Sequence, residues 1–80
     1  MTQEDIFVKV SEIIAQKKGV QPSAIPITAS FEDLDMDSLD SVELIAELED
    51  HYNVSIPNQE LLAIKTIREA VASLEKLINS

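Results

Sequence analysis

The amino-acid sequence predicts an all-α fold: a small four-helix bundle, three longer helices plus one short helix, with a long first connection. Three observations carry this expectation. Apolar residues recur at the 3.6-residue spacing of a buried helical face in three separate stretches. Each of those stretches opens with a Thr or Asp able to cap it. With one Gly, three Pro, two Phe, one Tyr and no Trp, the chain has few interruptions and an aliphatic core. Its 80 residues suffice for one modest core, read as a single domain over residues 1–80 with no room for a buried catalytic cleft.

The first helix opens at Thr2, which with Asp5 resembles a capping box in which Asp replaces the usual Glu. Ile6, Val10, Ile13 and Ile14, with Phe7 at the edge, make its buried face. Lys17, Lys18 and Gly19 end it: two cations at the negative end of the dipole, then a residue suited to the left-handed C′ position. Val20 is expected to fold back onto the helix. The lysines are read as terminal charges rather than partner contacts.

Residues 21–36 form the long connection, and Pro22 and Pro26 exclude a regular helix from its first half. A connection of that length is either disordered or functional. This one carries Ile25, Ile27, Phe31 and Leu34, which predict packing against the core, and Ser30 with Asp33 predicts one capped turn.

The second helix is the stretch DSLDSVELIAELEDHY over residues 37–52. Asp37 is its N-cap, and Asp40 places a second acid near the positive end of the dipole. Leu44, Ile45, Leu48 and Tyr52, with Ser41 among them, fall on the core face. Leu39, Val42 and Ala46 form a second, narrower apolar stripe bordered by Asp40, Glu43, Glu47, Glu49 and Asp50. A surface helix ordinarily needs one stripe, so the second asks for a partner. Ser38 sits in the first turn, where a phosphate ester would meet unpaired backbone N–H groups. The competing account makes Ser38 a structural first-turn residue.

A short helix is expected over residues 59–64 with Asn58 as N-cap, too short to hold by itself and so able to move aside. The last helix begins with the capping box Thr66-x-x-Glu69 and carries Ile67, Val71, Leu74, Leu77 and Ile78 at helical spacing.

The 15 acids against 6 bases give a net charge of −9, unevenly spread. No Lys or Arg falls between positions 19 and 64, while ten acids lie from Glu32 to Glu60. Such a surface repels nucleic acid and anionic membrane and suits basic protein patches or divalent cations; solubility alone is the bland alternative. Without Cys there is neither a disulfide nor a protein thiol. No apolar run reaches the ~20 residues of a membrane span, and MTQEDIF has no signal-peptide character. A cytoplasmic monomer without membrane insertion is expected.

Competing chemistry fails on spacing. Asp33-x-Asp35-x-Asp37 begins like a calcium loop, but Ser38 stands where a Gly is needed and Leu44 where a bidentate Glu is needed. No specific metal site is expected, only weak divalent binding at Asp33, Asp35 and Asp37. His51, the only histidine, lies about 20 Å from Ser38 by helical rise, so no Ser–His dyad forms. It is placed to interact with the C-terminal end of its own helix. With no Gly-rich phosphate loop and no zinc-type spacing, no catalytic residue is assigned and the chain is not expected to be an enzyme.

Asp-Ser-Leu followed by an acidic amphipathic helix, in an acidic chain of this length, resembles the acyl carrier proteins, and the resemblance runs from Thr2 to about Ile78. It implies that Ser38 carries a 4′-phosphopantetheine arm, moved there from coenzyme A by a magnesium-dependent phosphopantetheinyl transferase (holo-acyl-carrier-protein synthase). The arm's thiol would hold acyl groups as thioesters. The resemblance further implies that the acyl chain shelters among Phe31, Ile45, Leu48, Ile56, Leu61 and Ile64. Basic patches of fatty-acid synthesis enzymes and acyltransferases would read Asp37, Leu39, Asp40, Val42 and Glu43, followed by Ala46, Glu47, Glu49 and Asp50. It also implies that the long connection crosses the bundle and lets the first two helices run antiparallel.

Four features depart from the family pattern: Asp35 where a Gly commonly stands, a connection one residue shorter over residues 31–34, a small Ala46, and the bulk of Leu61-Leu62. The expected role is the general carrier of bacterial-type fatty-acid synthesis. The alternatives are a specialised carrier for a polyketide, peptide or amino acid, and, in another class, an acidic helical adaptor or calcium-responsive module whose Ser38 is never modified.

Overall fold

Among the described residues four α-helices follow one another, α1 (Gln3–Lys18), α2 (Ser38–Tyr52), α3 (Asn58–Ala63) and α4 (Ile67–Ile78), with a short 3-10 turn, Pro22–Ala24, in the first connection. The structure is a computed structural model that describes residues 2–79; positions 1 and 80 of the expected 1–80 domain lie outside the described residues. Among the described residues there is no strand, only one isolated antiparallel bridge between Ser30 and Thr66.

Local signals set the helix ends. Thr2 Oγ1 accepts from the Asp5 N–H (3.2 Å) and donates to the Asp5 carboxylate (3.0 Å), closing the start of α1. Gly19, at φ 69°, turns the chain so that the Val20 N–H reaches the Ala15 carbonyl at 3.0 Å. Only the Val20 backbone folds back, because its side chain stays 47 % exposed, contrary to expectation. At α4, Glu69 N–H donates to Thr66 Oγ1 (3.1 Å), and the Glu69 carboxylate accepts from Thr66 N–H (3.0 Å) and Lys65 N–H (2.8 Å). These bonds hold the Glu69 carboxyl below the usual carboxylate range: the Lys65 amide contributes most, the Thr66 amide and hydroxyl and the Lys65 charge add to it, and slight burial opposes.

Helix α3 departs from expectation at both ends. Asn58 is its first helical residue rather than its cap, and the helix ends at Ala63. Pro57 occupies the cap position, where its carbonyl accepts the Leu61 N–H (2.9 Å) but no side chain closes the turn. No residue of α3 is buried.

Tertiary bonds give the helix directions. Lys18 Nζ, at the end of α1, donates to the Asp35 carbonyl just ahead of α2 (2.7 Å), and Lys17 pairs with Glu47 at 3.3 Å. At the other end of α2, the Tyr52 phenol has its pKa raised by partial burial and then by the charges of Asp5 and Glu12 in α1. Helices α1 and α2 are therefore antiparallel. Gln3 Nε2 donates to Glu75 Oε1 (3.0 Å), so the end of α4 also lies beside the start of α1. The two lysines do more than complement a dipole, since they tie α1 to the connection and to α2.

Ile6, Val10 and Ile14 of α1, Leu44 and Leu48 of α2, and Ile67, Val71 and Leu74 of α4 are fully enclosed. Each such side chain contributes roughly 1.5–3 kcal/mol by leaving water. The connection adds Ile25 and Phe31 as expected, and also Ala29 and Met36, while Ile27 and Leu34 pack from the edge. Its capped turn forms: Ser30 N–H donates to Asp33 Oδ2 (3.2 Å) and Asp33 N–H to Ser30 Oγ (3.0 Å). The connection is stapled to the approach to α4 by Phe31 N–H to the Lys65 carbonyl (3.0 Å) and Ile67 N–H to the Ala29 carbonyl (3.1 Å).

Candidate functional site

A cavity of about 300 Å³ opens beside the first turn of α2. The turn itself is held by two aspartates. Asp37 Oδ1 accepts from Asp40 N–H (2.9 Å) and Asp40 Oδ2 accepts from Asp37 N–H (3.3 Å), a complete capping box. Both carboxylates thus have a structural task at the helix start, where the dipole favours them. Ser38 is the first helical residue and is exposed, and its hydroxyl has no hydrogen-bond partner among the described residues. Ser41 differs: its Oγ donates to the Asp37 carbonyl (3.1 Å). Of the two serines in DSLDS, only Ser38 keeps an uncommitted hydroxyl.

The cavity runs from that exposed serine into the core. Phe31, Met36, Ile45 and Ile64 line it and are buried; Ser38, Val42, Leu62 and Lys65 line it and are exposed. Ser30, Ser41 and Leu61, all half-buried, complete its wall with the exposed Glu32 and Asp37. Four residues of the expected acyl shelter are therefore brought together here: Phe31, Ile45, Leu61 and Ile64. Leu48 and Ile56 do not line the cavity; both are buried elsewhere in the core. Sequence reasoning missed Met36, Val42 and Leu62 as lining residues. An apolar residue directly ahead of an N-cap, as Met36 is, was the available signal.

Around the mouth, Leu39 is 65 %, Val42 49 % and Leu62 76 % exposed, and Ala46 is exposed beside them. Of the five acids expected to rim this stripe, Asp40 is half-buried in the capping box, and the other four separate into three groups. Glu43 and Asp50 are exposed without an ion pair among the described residues. Glu47 is paired with Lys17. Glu49 is half-buried and turns inward, where its carboxylate accepts the Ile56 N–H at 2.6 Å. Helical spacing alone sets Glu49 on the docking rim; the bond that draws it inward joins residues seven apart, a contact that spacing does not reveal.

Asp33, Asp35 and Asp37 do not form a common ligand set. Among the described residues, no three His, Cys, Asp or Glu side chains converge as metal ligands. The reason is local: Asp33 caps the Ser30 turn and Asp37 caps α2, so the alternating acids serve successive turns. Asp35 adopts φ 58°, in the left-handed region where a Gly would be relaxed. His51 is exposed in the last turn of α2 and stands edge-on to the Tyr52 ring (centroids 4.7 Å apart, 83°), remote from Ser38. No described helix is long and apolar enough to cross a membrane.

Comparison with known proteins places these features in context. The family described as the phosphopantetheine attachment site matches residues 8–74. An acyl carrier protein of Rubrobacter xylanophilus is 49% identical over 72 residues, 89% of this chain and 89% of that one. The meromycolate extension acyl carrier protein of Mycobacterium tuberculosis is 42% identical over 78 residues, 96% of this chain and 68% of that one. Among solved structures, an acyl carrier protein from Thermotoga maritima superposes with a TM-score of 0.86 at 23% identity, covering 99% of this chain and 93% of its own, a likeness of fold.

Proposed function

This chain belongs to the acyl carrier protein family, whose attachment domain carries 4′-phosphopantetheine covalently, and we propose that Ser38 is the residue that holds the group here. One observation carries the proposal: the Ser38 hydroxyl is exposed and unpartnered, at the N-terminus of a 15-residue helix and on the wall of an apolar cavity. Each part fits the group. The helix start favours a phosphate diester through its dipole and free amides. The apolar wall suits whatever aliphatic load the arm bears. When attached, the arm supplies a terminal thiol for acyl thioesters, chemistry that a chain without Cys lacks.

This chain's own residues present, shield and dock. The Asp37–Asp40 box fixes the turn that displays Ser38. Phe31, Ile45, Leu61 and Ile64 exclude water from an acyl chain lying in the cavity. Leu39, Val42 and Leu62 form the apolar centre of a docking face, with Glu43 and Asp50 steering basic partners towards it. The partners are a phosphopantetheinyl transferase and enzymes that load and elongate acyl groups. The transferase supplies the base that activates Ser38, since His51 stands at the opposite end of α2. The chain acts as a cytoplasmic, monomeric single-domain carrier and not as a catalyst.

Bacterial-type fatty-acid synthesis is the pathway we infer, supported by the acidic docking face of this chain. A second reading, extension of meromycolate chains, is favoured by the name and 42% identity of the mycobacterial relative.

Intact mass after incubation with coenzyme A and a transferase tests the attachment. One arm's increment on the natural chain and none on Ser38→Ala is expected. No increment, or one that survives the substitution, would overturn it. The mass of the acyl load on protein taken from its own cell separates the two pathways.

A further inference from the structure

Glu49 gathers the loop between α2 and α3. Its carbonyl accepts the Asn53 N–H and the Val54 N–H, the latter at 3.0 Å, and its carboxylate accepts the Ile56 N–H at 2.6 Å. Asn53 makes the turn possible by taking the left-handed conformation, φ 56°. Ile56 is only 5 % exposed, so its amide would be buried without a partner if the carboxylate left, a costly arrangement. The next residue, Pro57, occupies the cap position of α3.

What this bond controls follows from how little else holds α3. The helix has six residues, no side-chain cap and no buried residue, yet it supplies Leu61 and Leu62 to the wall of the Ser38 cavity. Its C-terminal side is anchored by buried Ile64 and by the Lys65 carbonyl's bond to Phe31. Its N-terminal side is anchored by Ile56 and the Glu49 carboxylate. The opposite wall, Phe31 and Ile45, belongs to the core.

We propose that the Glu49 side chain is a positioning residue: it straps the segment entering α3 to α2 and thereby sets how far the cavity beside Ser38 can open. It is not one of the acids that partners read. The consequence for an acyl guest rests on the carrier reading of Ser38; the strap itself does not.

Two conservative substitutions separate the strap from a docking charge. Glu49→Asp keeps the charge but draws the acceptor back by roughly 1.5 Å, one C–C bond, out of reach of the Ile56 amide. Glu49→Gln removes the charge but keeps an acceptor oxygen at the same reach. In the protein without an arm, amide exchange followed by NMR is expected to quicken at Ile56 and through α3 by about tenfold or more in the Asp variant. The Gln variant should stay within about threefold of the natural chain, a rescue that a docking charge would not give. An Asp variant that exchanges like the natural chain, or a Gln variant as fast as the Asp variant, would overturn the strap.

The second readout uses octanoyl-loaded protein, in which cleavage of the load by hydroxylamine should speed up in the Asp variant and not in the Gln variant. Unchanged cleavage in an Asp variant whose Ile56 amide has loosened would overturn the control of opening. Should Ser38 take no load, intact mass reports that failure by itself, and the exchange measurement still decides the strap.

Discussion

Helices α3 and α4 stand three residues apart in the chain and could hardly be built more differently. Helix α4 begins with a reciprocal capping box between Thr66 and Glu69 and buries Ile67, Ala70, Val71 and Leu74. Helix α3 begins at a proline with no side-chain cap, runs six residues and buries none of them. A helix that short has no stability of its own, and local opening draws on the regions with fewest buried contacts. The contrast teaches where stability is placed. Helices α1, α2 and α4 carry the core, and the weakly held α3 lies over the cavity beside Ser38, where the guest chain we propose would require something to yield.

Substitutions in the two helices test that contrast most severely. Leu74→Ala should cost about 3 kcal/mol through lost burial and a cavity, while Leu62→Ala, at a site 76 % exposed, should cost less than about 0.5 kcal/mol. Urea unfolding measures both, and similar losses would erase the distinction. Capping gives the next effect: Thr66→Ala should lower stability by about 1 kcal/mol, whereas Asn58→Ala should change it by less than about 0.5 kcal/mol because Asn58 caps nothing.

The same box makes α4 sensitive to acid. The Lys65 and Thr66 amides hold Glu69 below the usual carboxylate range, so its folded pKa lies under its unfolded one. Its contribution is complete above the unfolded value and disappears as pH falls through the folded value. The stability gap between the natural chain and Glu69→Gln should therefore be open at neutral pH and close in acid, as measured by urea midpoints across pH. A gap that widens in acid would contradict the assignment.

Smaller effects sharpen the picture at the serine's approach. Asp35 holds φ 58°, so Asp35→Gly should be more stable than Asp35→Ala by about 1 kcal/mol, read from thermal melts. Lys17→Met should change stability by less than about 0.5 kcal/mol, because its single ion pair with Glu47 lies at the surface, the two side chains 28 % and 52 % exposed.

What could be read from the sequence was what acts over one helical turn. The Asp37 cap, the Thr66–Glu69 box, the Ser30–Asp33 turn and the three buried faces all arise between residues three or four apart, and spacing reveals them; that Asp40 reciprocates to complete a box with Asp37 is a finding of the structure. Ser38, which we propose as the attachment point, stands out by its first-turn position and by the resemblance of Asp-Ser-Leu to the carrier family. Spacing does not reveal that Glu49 bends inward to Ile56 or that Lys18 reaches the Asp35 carbonyl, since those pairs meet only after the chain has turned. Nor does it say where a core leaves a gap. Leu48 and Ile56 share the apolar character of Ile45 and Leu61, yet the first two do not reach the cavity, while Met36, Val42 and Leu62 enter its wall. Asn58, a good capping residue by type, is instead the first helical residue, and Pro57 takes the cap position ahead of it.

The most direct test is an isotope-filtered NOE experiment on protein whose Ser38 arm bears a carbon-13-labelled octanoyl group. Contacts from the chain's methylenes to Phe31, Ile45, Leu61 and Ile64 are the expected result. Contacts confined to the α1–α4 side, at Ile6 or Leu74, or none to the protein at all, would contradict the placement of the guest beneath α3.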